Sequence, residues 1–230
     1  MTAPAQGGDL VVLVPDKNIE YAVRGLLERP ESLGIRDIAF TVHIHVERDP
    51  GCLLRGHDFL APFAQGFEHG LVLFDHEGCG RDDDPAEDLE AEIVSRLSAA
   101  GWNGRARAIV IDPELENWVW SDSPHVAECL GWHSDRGDLR EWLAGQGLWT
   151  PDASKPERPK ESMEHVLRTV RRPRSSSVYR SLAEQVSFAR CTDSAFARLR
   201  AVLKEWFPAE RGPEGTEDNA QRLDLDPKGV

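Results

Sequence analysis

An apolar run that ends abruptly in acid and glycine leaves few choices of fold, and residues 70–80, GLVLFDHEGCG, form such a run. Leu71, Val72, Leu73 and Phe74 read as a buried strand, because parallel strands covered on both faces are near-continuous apolar runs and do not alternate. They lead straight into Asp75, His76, Glu77 and a glycine-rich turn. Open parallel sheets bind ligands beyond the carboxyl ends of their strands. Two acids one residue apart at such an end suit a hard divalent cation, which takes oxygen ligands. A structural role competes with this: Asp75 caps the next helix and Glu77 is solvated, since loops at strand ends are surface features.

Three further strands frame that one. Residues 10–14 (LVVLV) are short and wholly apolar; Pro15 stops them, and Asp16-Lys17-Asn18 opens a helix to about Arg29 with Ile19, Val23, Leu26 and Leu27 at helical spacing. Asp16 or Asn18 is the expected N-cap, which sets Glu20 in the first turn. Residues 38–46 (IAFTVHIHV) make a β-branched strand in which His43 and His45 share a face, as sheet-face residues more readily than as a metal pair. Arg48-Asp49-Pro50-Gly51-Cys52 reads as a turn on the same edge as Asp75, followed by a helix over residues 56–67. Asp82, Asp83 and Asp84 precede Pro85, a favoured first helical residue, and acids there suit the helix dipole. That helix runs to about residue 100 and residues 107–112 are the fourth strand. Strand–helix alternation four times over predicts an α/β fold with a parallel, doubly wound sheet. Pro113 then predicts a helix carrying Glu114 and Glu116 roughly 200° apart about its axis, one facing in and one out.

From Ser121 the alternation ceases. Helical pieces are expected over residues 124–130, 139–144, 161–170, 178–188 and 194–206, with a proline- and charge-rich linker at 150–159. The expected organisation is a flexible lead (1–9), an α/β domain (10–122), a helical appendage folded onto it (123–207) and a disordered tail (208–230). Arg168, Arg171, Arg172, Arg174 and Arg180 surround Ser175-Ser176-Ser177 in a chain of net charge −13. Such a strip either holds phosphates or pairs with the protein's own acids. The acidic total argues against a surface that coats nucleic acid generally, while a local basic strip still steers.

Cys52, Cys79, Cys129 and Cys191 contain no CxxC pair, so neither a zinc nor a disulfide framework is expected. The start, MTAPAQGGDL, lacks the features of a secretion signal. No apolar run approaches the roughly 20 residues that cross a bilayer. A cytoplasmic protein without a membrane partner is the expectation. GxSxG is absent, and no glycine-rich phosphate loop follows the first strand.

A strand followed by an acid, a second acid four residues on, and an acid-x-acid after a later strand together resemble the Toprim-like superfamily. That group includes catalytic domains of topoisomerases, primases and overcoming-lysogenization-defect nucleases. The likeness is carried by Asp16-Lys17-Asn18-Ile19-Glu20, Asp75-His76-Glu77 and Glu114-Leu115-Glu116-Asn117-Trp118. The stretch CTDSAFARLR (191–200) is similar to the closing helix of small Toprim-like proteins of bacterial defence islands, and the chain looks most like a component of a methylation-associated phage-defence system. Asp16 stands where the superfamily has glutamate, Lys17 where it has glycine, and Glu77 where it has a second aspartate. Every replaced acid remains a carboxylate.

The resemblance implies a nuclease or phosphodiesterase of anti-phage defence that uses Mg²⁺ or Mn²⁺. Asp16, Glu20, Asp75 and Glu77 would be both catalytic and metal-binding, and Glu114 would support a second ion. One carboxylate off the metal would act as general base on water, and the cations would screen the phosphate. Arg168, Arg171, Arg172 and Arg174 would offset repulsion between nucleic acid and an acidic protein. Other defence-system proteins are implied as partners, with room for a homo-oligomer. The rival is a catalytically inactive Toprim-like scaffold or sensor subunit, since a fold does not fix a function.

Overall fold

A computed structural model describes residues 7–150 and 152–209. Four strands, β1 (Gly8–Val14), β2 (Phe40–Ile44), β3 (Phe67–Asp75) and β4 (Ala106–Ile111), form one sheet, parallel throughout, in the order β2-β1-β3-β4. The α/β fold with a parallel sheet of four strands is the one anticipated. In the register Val12 lies beside Val42 on one side and Leu71 on the other. Leu10, Val12, Val14, Leu71 and Leu73 pack on one face, and Val11, Leu13, Val72 and Phe74 on the other. Both faces are therefore buried at the two central strands, the condition that makes β1 and the second half of β3 continuous apolar runs, whereas the edge strand β2 (FTVHI) is only partly buried.

Helix α1 (Lys17–Leu27) and the short α2 (Pro30–Leu33) cover the first face, and α3 (Arg48–Leu60) and α4 (Ala86–Leu97) the second. β1 lies between β2 and β3, so the chain leaves β1 in one direction across the sheet and later returns on its other side. The carboxyl ends of β1 and β3 flank the point where the strand order reverses, which in open α/β sheets opens a crevice for ligands.

The remaining helices are α5 (Glu116–Val119), α6 (His125–Leu130), α7 (Leu139–Gly145), α8 (Pro159–Thr169), α9 (Ser176–Gln185) and α10 (Ser194–Trp206). Leu130, Met163, Leu182, Leu199 and Leu203 join the α1 face of the sheet in one hydrophobic cluster. α9 lies against α1 closely enough that a Cβ on Gly25 would stand 2.8 Å from the Ala183 Cβ. Arg29 locks the junction: its Nη1 donates to the carbonyls of Ala183 (2.7 Å) and Val186 (2.9 Å), and its guanidinium lies 4.1 Å over the Phe188 ring.

Three expectations need correction. Residues 48–52 are not a turn but the start of α3. Pro50 fits there because first-turn residues need no N–H for the helix, and Asp49 meets the positive end of the dipole. Gly8 and Asp9 belong to β1 and not to a lead; Asp9 is held by Arg36 at 2.6 Å and by the Ala39 N–H at 2.6 Å. No helix starts at Pro113: α5 begins only at Glu116, and the bond from Asp112 to Pro113 is cis. Residues 1–6 of the expected lead and 210–230 of the expected tail lie outside the described residues, while Pro208 forms a bridge to Ile35. Among the described residues no helix is long and apolar enough to cross a membrane.

Candidate functional site: an acidic rim at the strand switch point

Pro15 ends β1, and Asp16, not Asn18, caps α1. Its Oδ1 accepts from the N–H groups of Asn18 (2.8 Å) and Ile19 (3.0 Å). Asp75 ends β3 on the other side of the switch point. Asp49, in the first turn of α3, accepts the Asp75 N–H on its Oδ1 at 3.0 Å, and Asp75 Oδ1 accepts the Leu115 N–H at 2.8 Å. The carboxyl end of β3 and the segments following β1, β2 and β4 thus contribute acids to one rim.

The electrostatics of this rim are strained. Burial, followed by repulsion from Asp49, Glu116 and Glu114, drives the Asp75 carboxyl well above the ordinary carboxylate range. Burial raises Asp49 as well, opposed by the Asp75 N–H, with Asp16 adding repulsion. Among the described residues no ion pair reaches Asp16, Asp49 or Asp75. The thiol of Cys52, beneath them, is pushed far up by burial and then by the charges of Asp49 and Asp16, so it is inert as a nucleophile.

Glu114 and Glu116 were expected to face opposite ways, but both are buried, at 4 % and 1 % exposure. The expectation presumed helical geometry, and Glu114 precedes the helix. Each acid has a cation from the C-terminal part of the chain, Lys160 in α8 and Arg174 in the stretch between α8 and α9. Lys160 Nζ sits 2.7 Å from Glu114 Oε2, and burial raises Glu114 in spite of this bond. Arg174 Nη2 donates to Glu116 Oε1 at 2.6 Å, and the buried Tyr179 hydroxyl donates to the same oxygen. Burial, then Glu116, holds the Tyr179 phenol well above its usual range.

The other anticipated residues are distributed as follows. Glu20 turns away from the rim to Arg24, 2.9 Å distant, on the β2 side of α1. Glu77 is exposed and repels Glu114. His76, between the two rim acids, is 9 % exposed with Nδ1 3.4 Å from Asp112 Oδ1. In the arginine strip, Arg172 donates to the Cys129 carbonyl at 2.6 Å and Arg174 pairs with Glu116 and Glu164, so these two serve the fold. Arg168 and Arg171 are exposed. Asp82 and Asp84 shape the loop before α4, accepting from Gly78 N–H (2.6 Å) and pairing with Arg81 (2.5 Å). The residue that sequence reasoning left out of its site is Asp49; an acid followed by proline just past a strand is its signal, once read as a helix start.

Among the described residues, no three carboxylate, imidazole or thiol side chains converge closely enough to form a ready-made metal site. The donors that are gathered are hard oxygens, and Mg²⁺ is commonly held by only one or two carboxylates while keeping several waters. Asp75 with Asp49 fits that requirement; Glu114 and Glu116, already paired with cations, do not.

No protein-family model matches the chain, and no curated protein does. Among solved structures the chain is similar to the C-terminal region of the OLD protein of Xanthomonas campestris pv. campestris, with a TM-score of 0.47 and 15% sequence identity, covering 85% of this chain and 92% of that one.

Proposed function

We propose that the acidic rim is a divalent-cation site serving phosphodiester hydrolysis on nucleic acid. The observation that carries this is Asp75: a half-buried carboxylate without a counter-cation among the described residues, at the strand switch point, its N–H held by Asp49. A carboxylate withdrawn from water is neutralised either by a proton or by a cation, and among the described residues the fold supplies a cation to Glu114 and Glu116 but none to Asp75. Asp75 and Asp49 would hold Mg²⁺ or Mn²⁺, with Asp16 the next carboxylate along the rim. Such an ion, when bound, supplies charge neutralisation at the phosphate and a more acidic water. The chain's own part is to fix Asp75 through the Leu115 N–H and Asp49 through the Asp75 N–H, and to offer Glu77, exposed at the edge, as a proton acceptor. Arg168 and Arg171 are exposed and, unlike Arg174, in no ion pair among the described residues, which leaves them available to a phosphate backbone. The motif resemblance supports placing this chemistry in anti-phage defence, alongside other defence-system proteins.

The test is thermal melting of the full chain against MgCl₂ and MnCl₂, with Asp75→Asn alongside, followed by cleavage of plasmid DNA and structured RNA in Mn²⁺. Ligand bound only to the folded state stabilises by about 2.7 kcal/mol at a hundred times Kd. The wild type should melt higher with metal and cleave, and Asp75→Asn should do neither. Flat melting curves and no cleavage by the wild type would reject the site.

A second proposal, a scaffold or sensor subunit without catalysis, is favoured by the Lys160–Glu114 and Arg174–Glu116 pairs, through which the fold itself neutralises two of the rim acids. It predicts no metal response and recovery of a stable partner protein from the native host.

A further inference from the structure

The two edges of the sheet end differently. At β4 the chain closes its own edge: Glu90 Oε1 accepts the Val110 N–H at 2.9 Å, and Arg198 Nη2 donates to the Val110 carbonyl at 3.4 Å. At β2 the edge is left open. Ala39 and His45 turn their backbone groups towards β1, the Ala39 carbonyl accepting from Asp9 and Leu10 and the His45 N–H donating to Val14. Backbone direction alternates along a strand, so Phe40, Val42 and Ile44 turn theirs outwards. Among the described residues β2 pairs with β1 alone, and one side chain meets its outward groups: Arg24 Nη2 donates to the Val42 carbonyl at 3.3 Å. The three outward N–H groups have no acceptor among the described residues.

Apolar surface gathers at the same edge. The large apolar side chains that stand exposed among the described residues are Tyr21, Leu54 and Val46, the last at 93 %. Val46 follows β2 directly. Tyr21 is three residues before Arg24 on α1, and Leu54 is three after Gly51 on α3, where Gly51 abuts the His45 ring. Residues three apart share a helix face, so both side chains border β2. An open strand edge is a template for a further strand, and native chains blunt it or pair it.

We propose that this edge pairs with a second copy of the chain, β2 against β2, antiparallel about a two-fold axis at Val42. A two-fold interface must be self-complementary, and residues 38–46 are. Apolar residues recur at Ile38, Phe40, Val42, Ile44 and Val46, so the pairing sets Phe40 beside Ile44 of the second copy, Ile38 beside its Val46, and Val42 beside Val42. Charge complies as well. Asp37 precedes this run and Arg48 follows it, both exposed and in no ion pair among the described residues, and antiparallel pairing brings the Asp37 end of one copy to the Arg48 end of the other. Arg24, whose side chain is 33% exposed, gives up its long bond to Val42 and keeps Glu20. None of the rim carboxylates takes part, so the pairing stands or falls separately from the metal proposal.

The experiment is analytical ultracentrifugation of the full chain from low to high micromolar concentration, with amide hydrogen exchange at both ends of that range. The mass should rise from 25.7 kDa towards twice that value, and the amides of Phe40, Val42 and Ile44 should gain protection as it does. Ile44→Pro removes an outward N–H, which an edge strand tolerates, and Ile44→Ala controls for the lost side chain. The proline variant should dissociate about tenfold more readily than the alanine variant. Val46→Lys, at a position with almost no contact in the single copy, should also weaken the dimer at an unchanged melting temperature of the dilute chain. A single-copy mass throughout, exchange at those three amides that ignores concentration, or a Val46→Lys variant as dimeric as the wild type would each overturn the proposal.

Discussion

Replacing Arg174 by methionine removes the only cation paired with Glu116 among the described residues. The carboxylate would stay buried at 1 % exposure, with the Tyr179 hydroxyl as its remaining donor and the Asp75 charge still repelling it. Breaking a buried ion pair by deleting one partner costs about 3–5 kcal/mol. The Arg174 side chain is 31% exposed, which screens part of the attraction, so the lower end, about 3 kcal/mol, applies. In a chain of this size that corresponds to a fall in melting temperature of about 6–12 °C. Glu116→Gln should be milder, about 1 kcal/mol, because the amide oxygen still accepts from Tyr179 and Arg174, and the half-buried guanidinium can rehydrate. Combining the two substitutions should return most of the loss, since no charge is then left buried without a partner. The measurement is a double-mutant cycle by urea and thermal unfolding in EDTA. An Arg174→Met variant within about 1 kcal/mol of the wild type, or a double variant no more stable than Arg174→Met, would refute the claim that Arg174 is the structural counter-charge of Glu116.

Other consequences follow from the same contacts. Asp75 has a raised pKa in the folded state, so the native protein binds protons more tightly than the unfolded one, and Asp75 detracts from stability increasingly as pH rises above the unfolded carboxylate value. Asp75→Asn, which keeps an oxygen for the Leu115 N–H, should match the wild type near about pH 4 and melt higher near about pH 8 in EDTA; an advantage that shrinks with rising pH would contradict this. Asp193→Ala removes the N-cap of α10 (Phe196 N–H, 2.9 Å) together with the acceptor for Trp118 Nε1 (2.8 Å) and Asn117 Nδ2 (2.5 Å), and should cost about 3 kcal/mol in urea unfolding. A loss under half of that would mean that water replaces the carboxylate. Gly51→Ala would set a Cβ 2.0 Å from His45 Nδ1 and 2.8 Å from the Glu47 Cβ, so overpacking should destabilise it by about 1–3 kcal/mol, and a neutral result would show that His45 swings clear.

What could be seen in the sequence was whatever a single element dictates by itself. β1 and the second half of β3 were legible because burial on both faces makes them unbroken apolar runs, β2 by its β-branched residues, and the position of Asp75 followed because an acid closing such a run must stand at a sheet edge. Asp16 as a cap was legible from Pro15 before it and Ile19 after it. Asp49 was obscured because Asp-Pro-Gly is also turn chemistry, and only the seating of His45 against Gly51 distinguishes a helix start there. The mutual burial of Glu114 and Glu116 was misjudged because a helix was assumed from Pro113, whereas their orientation is set by contacts to residues far along the chain.

Those contacts divide the rim acids into two groups by origin of the compensating charge. Glu114 and Glu116 are neutralised by Lys160, at the start of α8, and Arg174, between α8 and α9; pairing is over 46 and 58 residues of sequence, beyond the reach of any local pattern. Asp16 (the cap of α1), Asp49 (the first turn of α3) and Asp75 (the last residue of β3) stand at the carboxyl edge of the sheet and meet mainly backbone N–H groups. Neutral dipoles compensate a carboxylate less than a full cation does, which is why burial wins at Asp75 and Asp49 and pushes both upward. A mobile cation would therefore gain most beside those two acids and least beside Glu114 and Glu116. The metal proposal accordingly rests on Asp75 and Asp49, and a metal response abolished by Glu114→Gln but retained by Asp75→Asn would reverse that assignment.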